Sequence, residues 1–181
     1  MSNVFVTSDT WFNRPLEDDP NVNVVDNNDH LIINWNEVVK KDDIVYVLGG
    51  FGIGDLYHIL VRLKGKIHFL RNYFTPDERQ FMNELKYCVD KSSDPKLSER
   101  IVFENDHIII LNESDVILSY FPLSDWIGKS AGTYCFHGYN GDTSLKEHNI
   151  SCISNKWDNM PVSITDIQSN IKAFDKVLKQ I

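Results

Sequence analysis

At 181 residues, 42% hydrophobic and 12% aromatic, the chain has material for one globular domain with a sizeable core. Its net charge of −8 argues against general binding to nucleic acid or to an anionic membrane surface. No window reaches the length of a membrane span, and the opening "MSNVFVTSDTW" lacks the basic flank and long apolar run of a signal peptide, so a soluble, cytoplasmic setting is expected.

The first half alternates strand-like and helix-like patterns. "NVFVTSD" reads as a strand, followed by a polar loop rich in Asp and Asn. Between about Asp29 and Lys40, Leu31, Ile32, Trp35, Val38 and Val39 fall on one helical face. "IVYVLGG" is a second strand, and Leu56, Ile59, Leu60 and Leu63 mark a short helix behind it. "KIHFLRN" is a third strand, and Phe81, Leu85, Cys88 and Val89 mark another helix. This is the rhythm of a parallel sheet covered by helices, with the functional loops expected at the strand C-termini.

The second half is built from short strands: "RIVFEN", "HIIILNE", "VILSYF", "TYCFHG" and "NISCIS". Turn signals such as "ND" and "ESD" between them suggest hairpins and antiparallel pairing. A last amphipathic helix uses Ile164, Ile167, Ile171, Phe174 and Leu178, with Ser163 as N-cap and Asp166 three residues on. "KSSDPK", residues 91–96, reads as a flexible loop too short to separate domains. One α/β domain over residues 1–181 is expected, a sandwich of two sheets with mixed parallel and antiparallel strands and helices outside.

Cys88, Cys135 and Cys152 show no C-x-x-C spacing, so neither a disulfide framework nor a zinc knuckle is signalled, and they read as core. His68 and His107 sit inside apolar strands as structural histidines, while His30, His58 and His148 read as surface.

The loops that follow the strands are "SDTWFNR", "LGGFG", "RNYF", "LSYFPL" and "HGYNG". Their order and spacing resemble the calcineurin-like metallophosphoesterases, especially the short bacterial and bacteriophage members. In those proteins the same places carry D-x-H, G-D, G-N-H-D, S-H and G-H-x-H. The tail "NISCISNKWDNMPVSITDI" is similar to that family's last strand and closing helix, so the resemblance runs through nearly the whole chain. It implies a four-layer α/β sandwich whose active site holds two divalent cations roughly 3.5–4 Å apart, activating water for attack on a phosphoester.

Carried over position by position, the metal ligands would be Asp9, Trp11, Gly50, Asn72, Tyr120, Tyr139 and Gly141, with Tyr73 in place of the family's histidine acid. Only Asp9 and Asn72 keep a donor of the family's type. Gly50 replaces the bridging carboxylate, Trp11 and Gly141 offer no side-chain ligand, and a neutral tyrosine with a pKa of about 10 binds such metals poorly. Asp55, His137 and Asp142 lie close enough in sequence to be considered as substitutes, but Asp9, Asn72 and His137 could at most make one weak, incomplete cation site. The expectation is a degenerate phosphoesterase with no metal cofactor and no catalytic residues.

Trp11, Tyr73, Tyr120 and Tyr139 put aromatic rings where the family has histidines, with Arg14 and Arg71 beside the first and third loops. Rings of this size suit filling the hole left by two metals, since an empty cavity costs stability. They also suit a pocket in which rings stack on a base and arginines hold phosphate. The expected function is binding to a protein partner with the former cleft closed or nearly so, the Asp/Asn-rich first loop being a candidate contact. A nucleotide-sequestering module is the alternative, and a residual single-metal phosphodiesterase the second. Resemblance to bacteriophage members and an Asn/Ile/Lys-rich composition suggest a phage protein acting on a factor in the host cytoplasm, with no membrane partner.

Overall fold

The structure is a computed structural model that describes residues 2–14, 24–71, 76–139 and 149–178. β1 (Val4–Thr7) leads through the first loop to α1 (Val24–Val38), whose Leu31, Ile32 and Trp35 are buried. β2 (Ile44–Val47) is followed by the four-residue α2 (Tyr57–Leu60), then β3 (Lys66–Phe69) and α3 (Pro76–Asp90). Within "KSSDPK" the structure differs from the loop expected. Asp94 accepts from the Lys96 backbone N–H at 3.0 Å and Pro95 occupies the first turn of α4 (Pro95–Arg100), so an N-cap and a pre-set φ start a helix there. β4 (Ile101–Phe103) and β5 (Ile108–Leu111) follow, then β6 (Val116–Ser119), β7 (Tyr134–His137), β8 (Asn149–Ser151), β9 (Val162–Ser163) and α5 (Ile164–Leu178). Ser163 Oγ accepts from the Asp166 N–H at 3.2 Å, the expected cap.

The strands form two mixed sheets. The first has the order β4-β3-β2-β1-β9, parallel except for β9, which pairs antiparallel with β1. The second has the order β5-β6-β7-β8. Only β5 and β6 form the antiparallel pair expected throughout this half; β6–β7 and β7–β8 are parallel. The expectation of successive hairpins fails for a geometric reason. A parallel neighbour requires the chain to return to the starting end of the sheet between β6 and β7 and again between β7 and β8, which a tight hairpin turn cannot do.

Alternation along the strands splits the core in two. Phe5, Val45, Val47, Ile67 and Phe69 face α1 and α3, packing on Leu31, Trp35, Leu85 and Val89. Val6, Leu48 and Leu70 face the other way and share a cluster with Val116, Leu118, Tyr134, Phe136 and Cys152 of the second sheet. The sheets are also tied at one end: the Ser8 N–H donates to Cys152 O at 2.9 Å, and Ser8 and Ile153 form a parallel bridge.

Two side chains sit differently from their sequence reading. Cys88 is exposed on α3, while Cys135 and Cys152 are buried. His107 is exposed just before β5, its Nδ1 2.6 Å from Arg71 O. His68 is the structural histidine expected, its Nδ1 2.6 Å from Glu104 Oε1 between the sheets. His30 and His58 are exposed, and His148 lies outside the described residues. No helix among the described residues is long and apolar enough to cross a membrane.

Candidate functional site

The site forms where β1 and β2 run out of regular pairing. Past Thr7 the chain stays zipped to residues 49–53. The Asp9, Trp11 and Phe12 N–H groups donate to the carbonyls of Gly49, Gly50 and Phe51 at 2.9 Å each, and the Ile53 N–H returns to Phe12 O at 3.0 Å. Thr10 Oγ1 adds a bond to Phe51 O at 2.9 Å. To keep these bonds while turning, the segment places Asp9, Trp11 and Asn13 at φ of 54°, 52° and 62°. Left-handed backbone at a residue as large as Trp11 is uncommon and strained.

Asp9 packs directly onto Gly50. A Cβ built on Gly50 would fall 2.0 Å from Asp9 Oδ1 and 2.8 Å from Asp9 Cα, and Gly50 itself has φ +58°. The position identified with the bridging carboxylate therefore has no room for a side chain while Asp9 stays in place. Burial lifts the Asp9 carboxyl from its ordinary 3.8 to about 6, against the smaller opposing effects of a hydrogen bond from Ser8 and the charge of Arg14.

On the second sheet, Tyr120 follows β6, and His137 ends β7 beside Ser119 and Ser151 in register. His137 is buried and its Nδ1 has no hydrogen-bond partner among the described residues. Burial above all, then the charge of Lys156, lowers its pKa from 6.5 to about 4, against a hydrogen bond with the Tyr139 backbone. The imidazole is neutral at physiological pH.

Between the ends of β2 and β3, the start of α3 and Tyr120 lies a cavity of about 270 Å³. Trp11, Gly49, Gly50, Phe51, Gly52, Ile53, Phe69, Leu70, Phe81, Met82 and Tyr120 are among its walls. Among the described residues that line it, none carries a charged side chain. Trp11, Gly50 and Tyr120 thus meet at one cavity although they are far apart in sequence. Tyr139 stands next to Tyr120, with ring centroids 6.2 Å apart, and both rings also contact Phe121. Arg14 lies over the Trp11 ring at 4.8 Å, whereas the Arg71 guanidinium reaches Asn105 O at 3.4 Å. Asn72, Tyr73, Gly141 and Asp142 lie outside the described residues.

The expectation of a closed cleft is corrected by this cavity. Trp11 is 37% and Tyr139 39% exposed: the Arg14 stack and the Tyr120–Phe121 contacts hold these rings toward the rim, leaving the space behind open. Sequence reading missed Phe51, Ile53, Phe69, Leu70, Phe81 and Met82. The only signal was Phe51 and Ile53, two large apolar residues interleaved with glycine in a loop that should be polar.

Among the described residues no three His, Cys, Asp or Glu side chains come together. Asp55, one of the substitutes considered, accepts instead from the Tyr57 N–H at 3.0 Å, at the start of α2.

Comparison with known proteins adds the fold. No family model matches the chain, and no curated protein matches it either. The chain is similar to a solved structure, a protein of unknown function from Aquifex aeolicus called AQ665, at a TM-score of 0.60 and 18% identity. The match covers 93% of this chain and 99% of that one.

Proposed function

We propose that this chain is a catalytically degenerate member of the metallophosphoesterase-like fold, a single four-layer sandwich domain that acts by binding a protein partner. The order of its loops and its two mixed sheets support the fold assignment. One observation carries the loss of chemistry: the Asp9 carboxylate occupies the space that a side chain at Gly50 would need. Two metals bridged by a carboxylate require that side chain, because it sets their separation. With Trp11, Tyr120 and Tyr139 at the other positions, the site offers rings where the reaction needs hard or borderline donors.

A nucleotide trap is the second reading, supported by the Arg14–Trp11 stack at the rim. The described residues lining the cavity are apolar, aromatic or glycine, which weighs against it, since a base has polar edges to satisfy. A single-metal phosphodiesterase would have to work with Asp9 and a buried, neutral His137.

The test is elemental analysis of protein purified without chelator, paired with hydrolysis of bis-p-nitrophenyl phosphate across added Mn, Fe, Ni and Zn. Sub-stoichiometric metal and no turnover are expected. Two ions per chain, with turnover lost in Asp9→Ala, would overturn the reading.

A further inference from the structure

Resting on that reading, we infer that the cavity between the ends of β2 and β3 is an anchor pocket for one uncharged aromatic side chain of the partner protein. Size comes first. Its volume of about 270 Å³ exceeds the roughly 150 Å³ of an engineered apolar cavity that accepts benzene, so a one- or two-ring side chain fits.

The chemistry of the walls selects the class. The carbonyls of Gly49, Gly50 and Phe51 already accept from the segment at residues 8–12, and the described side chains that line the cavity are hydrocarbon or aromatic. A phenyl ring loses no hydrogen bond on entering such a space, whereas a nucleobase leaves polar edges without partners.

The rim points to a protein as the source of the ring. Trp11 and Ile53 line the cavity yet are 37% and 44% exposed, and Phe121 and Tyr139 extend the apolar surface past Tyr120. An apolar pocket surrounded by exposed aromatic surface is the form that protein hot spots take. The φ of +52° at Trp11 is an independent sign, because strained backbone of this kind concentrates at functional sites. With a net charge of −8, the flanks of the inserted residue should be basic.

The experiment is calorimetric titration of the full chain with acetyl-Gly-Lys-Phe-Lys-Gly-amide, the same peptide with Ala for Phe, indole and adenosine monophosphate. The Phe peptide is expected to bind with a Kd on the order of 0.1–1 mM at low salt, about tenfold tighter than the Ala peptide. Trp11→Gly and Ile53→Ser should each weaken it about fivefold. Both positions are partly exposed and the glycine suits the positive φ, so these variants keep the fold. Tyr87→Ala, exposed on α3, should change nothing.

Equal binding of the Phe and Ala peptides overturns the inference, as does no binding of either. Tighter binding of the nucleotide makes the cavity a nucleotide site, and tighter binding of indole makes it a small-molecule site; either result also overturns the inference. Metal content and hydrolysis are read separately. Turnover with two metals would sink the functional reading whatever the peptides do, and failed peptide binding would sink only the pocket.

Discussion

Ser8 and Gly138 touch across the two sheets: Ser8 Oγ donates to Gly138 O at 3.3 Å, and a Cβ on Gly138 would fall 2.3 Å from Ser8 Oγ and 2.7 Å from Ser8 Cβ. Ser8 follows β1 and Gly138 follows β7, so this contact fixes how closely the ends of the sheets approach, beside the candidate site.

Gly138→Ala should therefore destabilise the fold although alanine suits most backbone. Ser8 is short, and Leu48 Cβ stands 3.2 Å away, so nothing can swing aside. A loss of about 1–3 kcal/mol in urea unfolding is expected, as for other overpacked positions. An unchanged midpoint would mean that the sheets separate more easily than this geometry implies.

Gly50→Asp, which reinstates the carboxylate of the family pattern, should not reinstate a metal site. It combines a positive φ, a Cβ only 2.0 Å from Asp9 Oδ1 and a second negative charge. A loss of about 3 kcal/mol is expected, with no gain in manganese affinity by calorimetry. Tight manganese binding by this single variant would show that Asp9 can move aside.

Two buried groups should oppose each other in the pH dependence of stability. The Asp9 pKa is raised from 3.8 to about 6, so the folded state holds its proton more tightly and stability falls as pH rises through that window. The His137 pKa is lowered from 6.5 to about 4, so the unfolded state takes up the proton first and stability falls as pH drops through that window. After solvent screening each effect is on the order of 1–3 kcal/mol at full extent. Because they nearly cancel between pH 4 and 6, these two groups leave the native chain with little slope there. Asp9→Asn should give stability that rises with pH, and His137→Gln stability that falls with it. Unfolding midpoints measured at half-unit pH steps will show whether the slopes have opposite sign.

Arg100 gathers the carbonyls that end α2. Its Nη1 donates to Leu63 O at 2.8 Å and Gly65 O at 3.2 Å, and its Nη2 to Leu60 O. Arg100→Met should cost about 2–4 kcal/mol by leaving these acceptors without a donor. Arg100→Lys should recover less than half of the loss, because one ammonium cannot span the three acceptors. Guanidinium unfolding would measure both.

β1, β2 and β3 were legible as parallel because each is an apolar run followed by a helix-period segment, and the two periods are distinct. β4, followed by β5 and not by a helix, was read with the antiparallel second half but pairs parallel with β3. The second sheet was not legible, because "ESD" and similar turns are local signals, whereas β6–β7 pairing is decided by a crossover whose path no short motif encodes. β9 is two residues long and has no periodicity to read. At the site, Trp11, Gly50 and Tyr120 were readable from loop order. Phe81 and Met82 were not, because on α3 the same apolar spacing serves a packed core and a cavity wall.

The antiparallel pairing of β9 with β1 has a consequence for how the chain is made. Residues 162 and 163, near its end, supply the neighbour of Val6 and Phe5, near its beginning, and α5 then packs against the same strand. Until they emerge from synthesis, β1 presents an unpaired edge, and partners in aggregation could add to it as strands. Closing so long a loop late also slows folding. A product truncated before Val162 should be recovered in inclusion bodies, and holding the last strand back should be the step that sets the refolding rate.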